Sequence, residues 1–218
     1  MARRPALALP ALCLVTDRTL SGADRLPDVV AQAVAGGVTM VQLRENDLPT
    51  AELSALAQRL KPLLGGAALV VNGNADVARA VGAAGVQLGR HSPPTATVRR
   101  LVGPDMLIGR SVHSVAEAVA AEREGADFVV LGTIFPSRSH PGRPGAGLAL
   151  VRAARAVVRL PIIAIGGIDA ANARSVMEAG ADGVAVISAI ISAPDPRAAA
   201  AALARAVREG WRPSRNER

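Results

Sequence analysis

The chain has no tyrosine, a single tryptophan, two phenylalanines, one cysteine and one lysine, and each scarcity excludes something. With only Phe128, Phe135 and Trp211 as aromatics, there is little on which nucleic-acid bases could stack. The net charge of +7 comes from arginines scattered along the chain, with no basic block. Anionic small molecules fit this charge better than nucleic acid does. Cys13 has no partner for an internal disulfide and reads as a small buried hydrophobe. No apolar run reaches the ~18 residues of a membrane span. Met1-Ala-Arg-Arg-Pro has a faint likeness to a signal n-region, but no cleavage site follows and Ala11 to Thr16 is needed as a strand. The expectation is a cytoplasmic protein without a targeting segment.

What is present is a repeating rhythm. Hydrophobic residues make up 50% of the chain and charged ones 20%, which excludes disorder. Short apolar runs at 12–16, 40–44, 69–72, 86–88, 107–111 and 128–132 read as strands buried on both faces. Each is followed by a helical segment, at 24–35, 51–64, 76–83, 95–102, 115–124 and 148–158. Pro161 to Ala170 and Asp182 to Ser188 supply strands seven and eight, joined by a helix that stops at Gly180, and 197–208 closes the chain. Strict alternation predicts parallel strands with right-handed crossovers. The fold expected is a single (β/α)8 TIM barrel, one domain across 1–218 with the barrel at about 12–208 and Pro213 to Arg218 frayed. An open doubly wound sheet lacks its Gly-x-Gly-x-x-Gly after the first strand.

Chemistry in such a barrel gathers at the carboxyl ends of the strands. Gly166 and Gly167 let backbone amides approach an anion, and more amides follow Ile187-Ser188, a pair of loops suited to phosphate. A tight turn alone is the other reading of the two glycines. Gln42 and Arg44 share one strand face, and the arginine fork suits phosphate or carboxylate unless Glu45 takes it as an ion pair. Asn72 and Ser111 end strands three and five. Ser114 and Glu117 form a capping box, which puts His113 on the last residue before a helix. A histidine there is placed to move protons near neutral pH. His91 and His140 lie on other units, so no metal site is expected. The loop from Pro136 to Gly147, with Ser137 and Ser139, has the composition of a lid over a phosphorylated ligand, or of a plain connection.

Several phrases together resemble the thiamine phosphate synthase superfamily of (β/α)8 barrels. They are Gly37-Val-Thr-Met-Val-Gln-Leu-Arg44, Val71-Asn72, Gly109-Arg-Ser-Val-His-Ser114, Gly125-Ala-Asp-Phe-Val-Val-Leu-Gly132, Ile134-Phe-Pro136, Ile165-Gly-Gly167, Gly180-Ala-Asp-Gly183 and Ile187-Ser188. The resemblance implies thiamine biosynthesis, a thiazole phosphate ligand and a homodimer. A synthase joins an aminopyrimidine diphosphate to thiazole phosphate and displaces magnesium-bound pyrophosphate. This chain is similar to it at Gln42, Arg44, Asn72 and Ser111, but has Asn46 where a lysine is expected, and Gly73 and Ser92 where carboxylates are expected. Ser137-Arg-Ser-His140 stands for a Thr-x-Thr-Lys.

Two missing carboxylates leave no evident magnesium ligands. The thiazole tautomerase branch, which aromatises a carboxythiazole phosphate, needs only a base that becomes an acid, a phosphate anchor and a ring pocket. The expectation is therefore a tautomerase with His113 as acid/base, no cofactor, and substrate contacts from Gln42, Arg44, Asn72, Ser111, Ser137, Ser139, Gly166, Gly167, Ile187 and Ser188. A divergent synthase using Mg²⁺ and a non-catalytic regulatory binding protein are the alternatives. No nucleic acid or membrane partner is expected.

Overall fold

The computed structural model describes residues 7–137 and 144–213. Eight parallel strands close on themselves in chain order: β1 Ala11–Val15, β2 Met40–Leu43, β3 Ala68–Asn72, β4 Gly85–Leu88, β5 Leu107–Val112, β6 Phe128–Gly132, β7 Ile162–Ile165 and β8 Gly183–Val186. Leu14 of β1 lies opposite Val41 on one side and Val186 on the other, which seals the barrel. The helices are α1 Arg18–Ser21, α2 Leu26–Ala35, α3 Thr50–Leu60, α4 Ala75–Ala80, α5 Thr95–Val102, α6 Val115–Arg123, α7 Gly147–Val157, α8 Ala173–Glu178, α9 Ser188–Ile191 and α10 Pro196–Gly210. This is the (β/α)8 barrel that the alternation predicts. No helix among the described residues is long and apolar enough to cross a membrane.

Alternation along each strand divides the apolar residues into two cores. Cys13, Val15, Met40, Val70, Leu107, Phe128, Val130, Ile163 and Ala185 fill the lumen. Leu12, Leu14, Val41, Val71, Val129 and Val184 face outward and pack against the helices. Phe128, fully buried, is the largest lumen residue, and Gly109 on the neighbouring strand makes room for it, because an added Cβ would strike its ring. The same parity carries Gln42, Asn72, Gln87 and Ser111 inward at the carboxyl ends, so the lumen turns polar toward its mouth.

One device recurs at alternate units. Before β6 and before β8 the chain reads Gly-Ala-Asp, and each aspartate spans back to the strand before its own. Asp127 accepts from the Ile108 amide at 2.7 Å and pairs with Arg99 of α5. Asp182 accepts from the Ile162 amide at 2.8 Å and pairs with Arg155 of α7 at 2.8 Å. Thr39 bonds Leu12 in the same manner through its hydroxyl at 3.0 Å. Buried backbone donors at the strand starts are satisfied this way, and the strand ends above them are held in register.

Candidate active site

The larger cavity, about 470 Å³, opens at the carboxyl ends of β7 and β8 and is lined by Ser137, Gly166, Gly167, Ile187 and Ser188 among others. Gly166 and Gly167 have φ of +105° and +61°, backbone that side chains rarely adopt. A Cβ on Gly167 would also lie 2.8 Å from that of Phe135. Asn172 locks this turn: its amide donates to the Gly167 carbonyl at 2.9 Å and its oxygen accepts from the Asp169 amide at 3.0 Å. Neither the Gly166 nor the Gly167 amide donates to an acceptor among the described residues. Opposite them α9 begins at Ser188, a short helix that the sequence pattern misses because four residues make too little periodicity. Helix starts and glycine turns that present free amides suit an oxyanion. The Ser137 hydroxyl is buried in the same wall without a partner among the described residues. Ser139 and half of the expected lid, 138–143, lie outside the described residues.

The second side of the mouth is a row of amides. Gln42, 5% exposed, donates from Nε2 to Asn72 Oδ1 at 3.0 Å, and Asn72 donates to Asn46 Oδ1 at 2.9 Å. Ser111 Oγ accepts from Gln87 Nε2 at 2.9 Å. Gln87 is a site residue that the sequence reading misses; its signal is a lone polar side chain at an inward position of a wholly buried strand. Glu45 is not the partner of Arg44. Its carboxylate is buried and accepts from the Arg18 backbone amide at 3.1 Å, while the Arg18 guanidinium grips Asp47 through both nitrogens at 2.7 and 2.8 Å. That grip holds the Asp47 carboxyl below its usual range and raises Arg18. Arg44 is left exposed, with no side-chain partner among the described residues.

His113 stands elsewhere. The capping box forms, with the Glu117 amide donating to Ser114 Oγ at 3.1 Å, but the Glu117 carboxylate turns one residue further back, to the His113 amide at 2.7 Å. It also lies 3.4 Å from His113 Nδ1. The half-exposed imidazole lines a smaller cavity of about 250 Å³ with Arg90, Arg110 and residues of α6, and is absent from the lining of the glycine-turn cavity. The structure thus brings Ser137, Gly166, Gly167, Ile187 and Ser188 together, joins Gln42 to Asn72, and sets His113 apart from the former group.

Comparison with known proteins supplies the remaining finding. Residues 12–190 match the family described as thiamine monophosphate synthase. A thiamine-phosphate synthase of Roseiflexus sp. is 45% identical over 193 residues, 87% of this chain and 82% of the relative. One from Methanoculleus marisnigri is 46% identical over 195 residues, 88% of this chain and 92% of the relative. The solved thiamine phosphate pyrophosphorylase of Pyrococcus furiosus superposes with a TM-score of 0.84 at 38% identity, covering 91% of this chain and 96% of that one.

These relatives overturn the expectation of a thiazole tautomerase with His113 as its acid/base, and with it the isomerase class. Missing carboxylates bear on which ligands a metal could find and not on which bond is made. The imidazole meanwhile is engaged by Glu117 beside a different cavity. The chain belongs to the thiamine monophosphate synthase family.

Proposed function

We propose that the chain is a transferase of thiamine biosynthesis that joins an aminopyrimidine diphosphate to thiazole phosphate and displaces pyrophosphate. The observation that carries this reading is the two-sided mouth. Amides at Gly166 and Gly167 that are unbonded among the described residues, with Ser137 and Ser188, form an anion cradle at β7 and β8. On the other side of β1 in the strand order, Gln42, Arg44 and Asn72 offer amide groups and one cation unpaired among the described residues. A transfer between two phosphorylated molecules needs both to be held close in one orientation, which is the larger part of catalysis when no covalent intermediate forms.

In this reading the cradle takes the thiazole phosphate, with Ile187 against the ring. Gln42, Arg44, Asn72 and Ser111 take the pyrimidine diphosphate, and His113 is a polar residue at the rim. The test is pyrophosphate release by the full chain given both substrates, with product identified as thiamine phosphate. Wild type should release one pyrophosphate per product. Gly167→Ala should lower kcat/KM for thiazole phosphate about tenfold or more, the scale of a lost anion contact. Binding of both substrates without pyrophosphate release would sink the transfer and leave a phosphate-ligand-binding protein.

A further inference from the structure

The family resemblance brings magnesium with it, and the donor set at this mouth does not fit one. Magnesium is held through one or two carboxylates together with substrate phosphates, in near-octahedral geometry. Position 73, where the resemblance expects an aspartate, is a glycine at φ +71° whose amide donates to the Gln87 carbonyl at 2.8 Å. Position 92 is a serine whose hydroxyl accepts from the Gly89 amide at 2.9 Å.

Of the carboxylates that do stand at the strand ends, all but Asp76 are already engaged. Arg18 holds Glu45 and Asp47. Glu117 accepts from the His113 amide and lies 3.9 Å from Arg90. Asp17 and Asp169 cap their own turns, bonding the amides of Thr19 and Ala171. Asp76 is exposed in the first turn of α4, where it complements the helix dipole. Among the described residues, no three His, Cys, Asp or Glu side chains gather as a metal cluster.

The same mouth carries a cation with nothing to neutralise it among the described residues. Arg44 follows β2 at inward parity, next to the Gln42–Asn72–Asn46 amide row, and its guanidinium makes no hydrogen bond or ion pair among the described residues. A free planar fork beside neutral amides suits an oxygen-rich anion. We propose that the diphosphate-bearing substrate binds here as the metal-free anion, its charge met by Arg44 in place of magnesium. This inference rests on the transfer reading above.

The test is calorimetric titration of aminopyrimidine diphosphate into the full chain, once in EDTA and once in excess Mg²⁺ at matched ionic strength. Wild-type affinity should agree between the two buffers to within about threefold, well inside the tenfold that a lost charge contact is worth. Arg44→Gln should weaken binding in EDTA about ten- to hundredfold, the range of a charge-assisted bond. Arg44→Lys should recover part of it, as a point charge without the fork. Thiazole phosphate binding must persist in both variants, which shows that they are folded. Binding at least tenfold weaker in EDTA, Arg44→Gln binding as wild type does, or no binding in either buffer would each overturn the proposal. The transfer reading fails separately, when the diphosphate binds but no pyrophosphate is released with thiazole phosphate present.

Discussion

Gln87 shows how a single side chain can be poor for stability and useful for a site. It is 1% exposed, and its Oε1 has no partner among the described residues while its Nε2 donates to Ser111. An orphaned buried carbonyl costs about 1–3 kcal/mol. The bond it does make occupies a lone pair of Ser111 Oγ, which leaves the hydroxyl hydrogen free to be donated at the mouth. Gln87→Met keeps the shape and removes the orphan. It should hold stability or raise it by up to about 1 kcal/mol, while weakening substrate binding about tenfold. Thermal unfolding and calorimetry on the same preparation check both arms; a parallel loss of stability and affinity would make Gln87 structural only. Gln42, Arg44, Asn72 and Ser111 are legible in the sequence because strand ends and parity are local facts. Gln87 is hidden inside a four-residue strand that reads as apolar, and the grip of Arg18 on Glu45 spans 27 residues, where no local pattern reports it.

Among the elements, the paired clamps at β6 and β8 each join a backbone bond to an ion pair. Both aspartates tie a strand start to an arginine of the helix before it, but their burial differs. The Asp182 side chain is 5% exposed and that of Asp127 12%, with their arginines near 20%. Removing one charge of a buried pair strands the other, at about 3–5 kcal/mol for full burial. Asp182→Asn should therefore cost about 3 kcal/mol and Asp127→Asn less, since solvent reaches the second pair more readily. Urea midpoints of the two variants decide this, and equal losses would mean that the backbone bonds to Ile108 and Ile162 matter more than the charges. The Gly-Ala-Asp phrases are visible in the sequence, yet their work is not, because an aspartate before a strand gives no sign of what lies 20 residues earlier. Element existence is legible almost throughout, since apolar runs and helix formers alternate. What is lost is α1 and α9, each of four residues and each too short to show a period.

At the scale of the whole molecule, the scarcities of the sequence make its alkaline behaviour simple. Cys13 lies in the lumen, fully buried, and burial pushes its thiol from the ordinary 9.0 up to about 12, partly opposed by a bond from the Gln42 backbone. The unfolded chain therefore loses this proton near pH 9 while the folded barrel keeps it. The stabilising difference is fully present below pH 9 and falls as pH rises toward 12, at up to about 1.4 kcal/mol per pH unit. The chain has no tyrosine to titrate in that window, arginines stay charged, and the one lysine, Lys61, docks its ammonium on the Val81 carbonyl at 2.7 Å. Urea unfolding at pH 8, 9.5 and 10.5 should show wild-type stability falling more steeply than that of Cys13→Ala. The variant loses a little lumen volume, which offsets its stability equally at every pH and leaves the slope as the readout. Parallel slopes would mean that burial of the thiol does not set the alkaline loss. A steeper wild-type slope would make the single thiol a reporter of barrel opening, silent to thiol reagents at neutral pH until the strands around it part.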